Sequence, residues 1–281
     1  MIALSLCNEL LADDGLSLDQ QCEIAAALGY MGLELSLGSL AAQPHLLSDG
    51  DAGEIRQTIE SHGLRVTGLH WLLAPYPELS ITDPAMRLET QAVLSRLVNL
   101  CAALGGRVLV HGSPAQREPV SSDPASGSIG QLADFFAPIA RAAREADVTY
   151  CIEPLSRAET PVINTIAEAA RLVEAIGSPA FRTMIDTSAA GQVEAQPVAE
   201  LLREWLPTGV LAHVQVNDTN RGAPGMGSDP FPDIVSALRE TGWPHPVAIE
   251  PFRTCIDGTT TAAIGAATIR ACWSAAGRAE D

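Results

Sequence analysis

Lysine is absent from this chain of 281 residues; all 17 basic residues are arginine. That excludes a lysine Schiff base, and with it pyridoxal-phosphate and lysine-aldolase chemistry. It also excludes a phosphate-binding loop built on lysine. Positive charge is scarce altogether. Against the 17 arginines stand 34 acidic residues, a formal net charge of −17, so the basic face that a nucleic-acid partner requires is missing. No run approaches the ~20 apolar residues of a membrane span. The opening residues 1–7 are apolar but few and carry no basic leader, so they read as a strand rather than a signal peptide. Six cysteines, at 7, 22, 101, 151, 255 and 272, form no CxxC pair. That argues against a zinc ribbon or a disulfide framework, and for reduced, mostly buried thiols in a cytoplasmic protein.

What is present is an ordinary globular composition, 47% hydrophobic and 18% charged, arranged with a clear rhythm. Short β-rich runs fall at 2–7, 32–35, 65–70, 107–111, 148–153, 182–186, 210–217 and 246–250. Most are apolar throughout, as strands buried on both faces are. Between them lie helical patterns at 17–28, 51–62, 84–104, 131–146, 165–176, 197–205, 231–240 and 260–273. Ser17 is placed to cap the first, Asp83-Pro84 to open the third, and Gly177 and Gly242 to stop two others. Eight strand–helix units at ~30–40 residue spacing predict an α/β fold, a (β/α)8 TIM barrel with residues 1–281 as one domain. The alternative, an open doubly wound sheet, lacks a glycine fingerprint after its first strand, where the chain reads Cys7-Asn8-Glu9-Leu10. The Ser-, Pro- and Gly-rich stretch 112–130 reads as a long loop after the fourth strand, over the active face.

In such a barrel the chemistry gathers where strands end. Strand two offers Glu34. Strands three and four end at His70, followed by Trp71, and at His111. Strands five and eight end in matching turns, Ile152-Glu153-Pro154 and Ile249-Glu250-Pro251. Strand six ends at Asp186, and strand seven carries His213 and Gln215. Carboxylates that converge repel one another and are costly to desolvate, so they favour a cation between them. Hard oxygen donors favour Mg2+ or Mn2+ over zinc. One divalent cation held by Glu153, Asp186, Gln215 and Glu250 is therefore expected. His213 and Gln215 share a side of their strand, and spacing alone does not choose between them.

The stretches 152–160 (Ile-Glu-Pro-Leu-Ser-Arg-Ala-Glu-Thr), Ile185-Asp186-Thr187, 213–221 (His-Val-Gln-Val-Asn-Asp-Thr-Asn-Arg), Pro224-Gly225-Met226-Gly227 and Ile249-Glu250-Pro251 stand in the order and register of a known family. The chain resembles the xylose-isomerase-like barrels, among them ketose 3-epimerases and hydroxypyruvate-isomerase-like proteins. The resemblance implies that Glu153 and Glu250 are both metal ligands and the acid/base pair, and that Asp186 is a third ligand. It favours Gln215 over His213 as the fourth. It makes Glu159 and Arg221 substrate contacts. His70, His111 and His213 are further candidates for substrate binding, or else hydrogen-bonded barrel histidines. One position departs from the family. Its epimerases carry a histidine three residues past the metal aspartate; here Ala189 stands there, which removes a donor and opens room for a bulkier or differently oxidised substrate. Many members form dimers or tetramers, so the resemblance also implies a homo-oligomer.

The expected activity is that of a metal-dependent carbohydrate isomerase or epimerase working through an enediolate on a sugar or keto-polyol. Two alternatives compete with it. One is a dehydratase acting on a keto-inositol, a dehydroshikimate or a keto-glycoside. The other is a sugar-binding or scaffold subunit on a degenerate barrel.

Overall fold

A computed structural model describes residues 1–123 and 125–278. Pro124, inside the long loop expected at 112–130, lies outside the described residues, as do residues 279–281. The strands are β1 (Leu4–Cys7), β2 (Gly32–Ser36), β3 (Arg65–His70), β4 (Val108–His111), β5 (Thr149–Ile152), β6 (Phe181–Asp186), β7 (Leu211–Val216) and β8 (Val247–Ile249). Hydrogen-bonded in chain order, they form a closed parallel barrel, the (β/α)8 fold that the rhythm of the sequence predicts. Register pairs Leu6 of β1 with Leu33 of β2 and with Ile249 of β8. Crossing from each strand to its parallel neighbour needs a helix. Those helices are α1 (Glu9–Asp13), α2 (Leu18–Ala27), α3 (Asp49–Ser61), α4 (Arg87–Ala103), α5 (Ile129–Glu145), α6 (Ile166–Ile176), α7 (Thr187–Val193), α8 (Val198–Trp205), α9 (Phe231–Glu240) and α10 (Gly258–Arg278).

Local chemistry sets the helix ends. Ser17 caps α2 through a capping box with Gln20, and Thr165 does the same for α6 with Glu168. Gly177, at φ 65°, closes α6 in the left-handed conformation. Four starts differ from expectation: α3 and α10 each begin two residues early, at Asp49 and Gly258, and two others have a visible local cause. Asp83 Oδ1 accepts the Ala85 N–H at 2.8 Å, which makes a turn of Asp83-Pro84 and delays α4 to Arg87. Ser128 accepts the Gln131 N–H at 3.3 Å, so α5 begins earlier, at Ile129.

The chain groups into two compact units. The first comprises Met1–Glu34, Gln57–Thr67 and the described part of Ile185–Asp281. In it α9 packs against α8 and α10. Tyr30 Oη donates to the Ala262 carbonyl at 2.7 Å, and Arg270 Nη1 donates to the Leu28 carbonyl at 2.7 Å. The second comprises Leu35–Arg56 and Gly68–Met184. In it α5 packs against α4 and α6, and Phe135, Phe136, Tyr150 and Phe181 form an aromatic cluster with centroids 5.0 to 5.8 Å apart. No described helix is long and apolar enough to cross a membrane. Among the described residues all six cysteines are free thiols, four of them buried.

Candidate functional site

In the first unit the ends of β6, β7 and β8 are tied together. Asp186, the last residue of β6, is buried and caps α7, its Oδ1 accepting the Ala189 N–H at 2.7 Å. Ala189 belongs to the capped first turn of that helix. Asn217 joins the three strands. Its Nδ2 donates to the Glu250 carbonyl at 2.9 Å, its Oδ1 accepts the Ser188 N–H at 2.9 Å, and its carbonyl accepts Thr187 Oγ1 at 2.6 Å. The spacing of the sequence marks Asn217 only as a strand end. Its amide fixes the turn that carries Glu250, whose ladder stops at Pro251 because proline has no N–H to give. A carboxylate oxygen of Asp186 and one of Glu250 lie within 4.8 Å of each other.

Gln215 and Glu34 are fully buried in the same unit. Gln215 Nε2 donates to Glu34 Oε1 at 2.7 Å, while Gln215 Oε1 accepts no hydrogen bond among the described residues. His213 Nε2 approaches Glu34 Oε2 at an ion-pair distance of 2.8 Å without forming a hydrogen bond. His213 lies two residues earlier on β7, one layer deeper by the rise of a strand. It is therefore a neighbour of Glu34, beside Gln215 on the same strand. Cys7 Sγ lies 3.8 Å from Gln215 Nε2. Burial, and after it the charges of Glu34 and Glu250, push the Cys7 thiol well above its usual range, so it stays protonated.

Arg221 stands in the loop after β7. Asp218 organises that loop by accepting the N–H groups of Gly225, Gly227 and Asp229 at 2.9, 2.8 and 3.0 Å. Arg221 adopts φ 68°, uncommon for a side-chain-bearing residue. Its carbonyl accepts the Phe252 and Arg253 N–H groups at 2.9 and 3.0 Å. Its guanidinium stacks 4.4 Å over the Phe252 ring, an arrangement that keeps the charge in place.

In the second unit Glu153 stands one residue past β5 and is buried. Gly112 makes its room, since a Cβ there would fall 1.8 Å from Glu153 Oε2. Arg117, fully buried, donates through Nη1 to the Glu153 carbonyl at 2.7 Å and through Nη2 to the His111 carbonyl. Burial brings its guanidinium down to about 10, with Glu153 the main charge opposing that fall. Arg117 is therefore a cation fixed across the ends of β4 and β5. Nothing in a single sequence marks it beyond its place in the loop after β4.

Of the two roles open to His111, the structure shows the packed, hydrogen-bonded one. It is in register with Ile152, so its ring falls on the face opposite Glu153. That ring packs edge-on to Phe136 of α5 at 5.6 Å and bonds Tyr150 Oη through Nδ1 at 2.5 Å. Burial, and then Arg117, lower its affinity for a proton, so it is neutral. His111 thus serves sheet-to-helix packing. His70 is fully buried at the end of β3. Glu159 is partly exposed, its Oε2 accepting Ser156 Oγ at 2.7 Å. Arg157, close to Glu153 in sequence, reaches Asn164 at 3.1 Å and Glu168 at 3.6 Å.

The fold and these strand ends define a parallel (β/α)8 barrel with buried acids at the carboxyl ends of β5, β6 and β8. The chain belongs to the xylose isomerase-like TIM barrel family, whose model matches residues 22–272. It is 29% identical over 241 residues to the D-psicose 3-epimerase of Agrobacterium fabrum, covering 82% of this chain and 78% of that protein. It is 28% identical over 209 residues to the L-ribulose 3-epimerase of Mesorhizobium japonicum, covering 73% and 68%. A solved structure of an L-ribulose 3-epimerase superposes with a TM-score of 0.81 over 100% of this chain and 97% of that one, at 20% identity; at that identity the likeness is one of fold.

Proposed function

We propose that this chain is a divalent-metal-dependent ketose epimerase or isomerase, with residues 1–281 as one catalytic domain, acting in the cytoplasm on a small carbohydrate or keto-polyol. The observation that carries the proposal is the donor set. Asp186 and Glu250 present buried carboxylate oxygens within 4.8 Å of each other. On the strand between them, Gln215 holds a buried amide oxygen that accepts no hydrogen bond among the described residues. Two buried carboxylates this close repel unless a cation lies with them. Oxygen donors of this kind fit a hard divalent ion, Mn2+ or Mg2+. Glu153, buried at the end of the strand before β6, completes the proposed ligands. Two relatives named as sugar 3-epimerases support the reaction class.

When bound, such an ion supplies Lewis-acid stabilisation of the negative charge that builds on substrate oxygens as a proton leaves the carbon beside the carbonyl. The chain does the rest. One of Glu153 and Glu250 takes that proton, leaving an enediolate, and the other returns a proton. Return from the opposite face inverts the carbon. Arg117 and Asn217 hold the carbonyls of Glu153 and Glu250, which limits how far either carboxylate can drift from the reacting carbon. Arg221, and with it Glu159, binds substrate hydroxyls, and His70 is retained as a further contact. Ala189 leaves space for a substrate bulkier than a free ketohexose.

The test is proton exchange in heavy water. Glu250→Gln is expected to fold normally and to lose solvent-deuterium incorporation at the substrate α-carbon by at least a hundredfold. Exchange at the wild-type rate in that variant would remove Glu250 from the acid/base role.

A further inference from the structure

Glu34 brings a carboxylate into the interior of β2, where it is fully buried. A buried carboxylate is costly unless donors meet it. Two polar neighbours come from alternate residues of β7: Gln215 Nε2 donates to Oε1 at 2.7 Å, and His213 Nε2 lies at an ion-pair distance of 2.8 Å from Oε2. Each carboxylate oxygen thus has its own neighbour, and both neighbours lie on one side of one strand.

This pairing decides which way the Gln215 amide points. The two ends of a glutamine amide have nearly the same shape and opposite chemistry. An ionised carboxylate only accepts, so the end facing Glu34 is the NH2 and the other end is the oxygen. The assignment follows from the partner's chemistry, not from the shape of the amide. Burying an acceptor without a donor is rare in folded proteins. Here the buried Oε1 meets none among the described residues, while Asp186 and Glu250 hold carboxylate oxygens close together at the ends of the strands on either side. That combination favours a cation as what satisfies Oε1.

We propose that Glu34 is a positioning residue: by accepting the amide N–H it commits the oxygen of Gln215 to metal ligation, and His213 holds Glu34 to that task. The proposal rests on the reading of Gln215 as a ligand. A histidine ligand is oriented by what its second ring nitrogen binds; an amide ligand needs an acceptor on its NH2 for the same reason. Without that acceptor the amide can turn, and its N–H groups then face the ion.

The experiment is calorimetric titration of the metal-stripped full chain with Mn2+, with the fold of each variant checked by circular dichroism. Gln215→Leu and Glu34→Leu are each expected to weaken Mn2+ binding by about 10–100-fold, the usual effect of removing a ligand's support. The double variant should bind no more weakly than the worse single one, because both changes remove the same contact. Glu34→Gln, whose amide oxygen can still accept from Gln215, should stay within about threefold of wild type. Glu34→Ala replaces the leucine variant if that one does not fold. Unchanged affinity in Gln215→Leu would overturn the ligand reading itself. Weakened binding in Gln215→Leu with wild-type binding in Glu34→Leu or Glu34→Ala would overturn the positioning role alone. A Glu34→Gln variant as weak as Glu34→Leu would overturn it too, because charge rather than the accepted hydrogen bond would then be what Glu34 supplies.

Discussion

A single missing carbon at Gly112 shows how finely the candidate site is set at the scale of residues. Its backbone passes so near Glu153 that a Cβ would sit 1.8 Å from Oε2, well inside contact distance, so the carboxylate would have to turn away. Gly112→Ala is therefore expected to leave the barrel folded, with a modest fall in Tm, and to cut α-proton exchange by at least tenfold. Thermal unfolding and exchange measured on one preparation separate these effects; full activity in a folded variant would show that Glu153 can move without consequence. Glu153, Asp186 and Glu250 stand out in the sequence as candidates because each closes an apolar run; Gln215, inside β7, is favoured over His213 only by the resemblance. Arg117, Asn217 and Gly112 do not stand out, because their value lies in what they touch: two carbonyls, three strand ends and one carboxylate. The face taken by His111 was hidden for the same reason. Its position at a strand end is the same whether the ring faces the barrel interior or a helix, and only the register with Ile152 decides the face.

At the scale of elements, the helices show which signals a sequence carries well. Capping boxes at Ser17 and Thr165 are local, satisfying N–H groups within one turn, and could be read directly. The delayed start of α4 turned on the Asp83 side chain choosing the Ala85 N–H, a competition that residue types do not settle. Between helices, Arg203 grips Glu240 at 2.7 and 3.1 Å, joining α8 to α9, and Ser236 adds a third contact at 2.8 Å. The arginine, then the serine, hold the Glu240 carboxyl at about 2, down from an ordinary 4.5. A carboxyl whose affinity for a proton falls on folding stabilises the native state above its unfolded value, and that contribution is lost as pH falls through the folded one. Urea unfolding should therefore show the gap between wild type and Glu240→Gln closing as pH falls from about 4.5 to about 2. Both side chains are exposed, so the gap should be small and should shrink in salt. A gap independent of pH would mean that the pair contributes nothing through its charge.

For the molecule as a whole, the proposed cation makes a prediction about stability separate from catalysis. An ion bound by the folded chain and not by the unfolded one stabilises by about 2.7 kcal/mol at a concentration 100 times its dissociation constant. Calorimetric melting should show Tm rising with Mn2+ in the wild type and falling back with EDTA, with most of the rise absent in Asp186→Asn. An equal rise in both proteins would place the ion elsewhere on this strongly acidic chain, whose net charge is −17. The eightfold rhythm of apolar runs and amphipathic stretches determined the barrel from the sequence alone, because strands buried on both faces must be apolar and parallel neighbours must be joined by helices. The same rhythm put the acids at strand ends, where charge escapes the apolar ladder. Only the tertiary structure decided that Glu34 faces Gln215, that His213 serves Glu34, that His111 turns to a helix and that a buried arginine holds the carbonyl of Glu153. Those choices depend on strand register and on contacts between residues tens to hundreds of positions apart. A strand's alternation fixes that two residues share a face; which face it is, and what lies across from it, depends on how the other strands close around them.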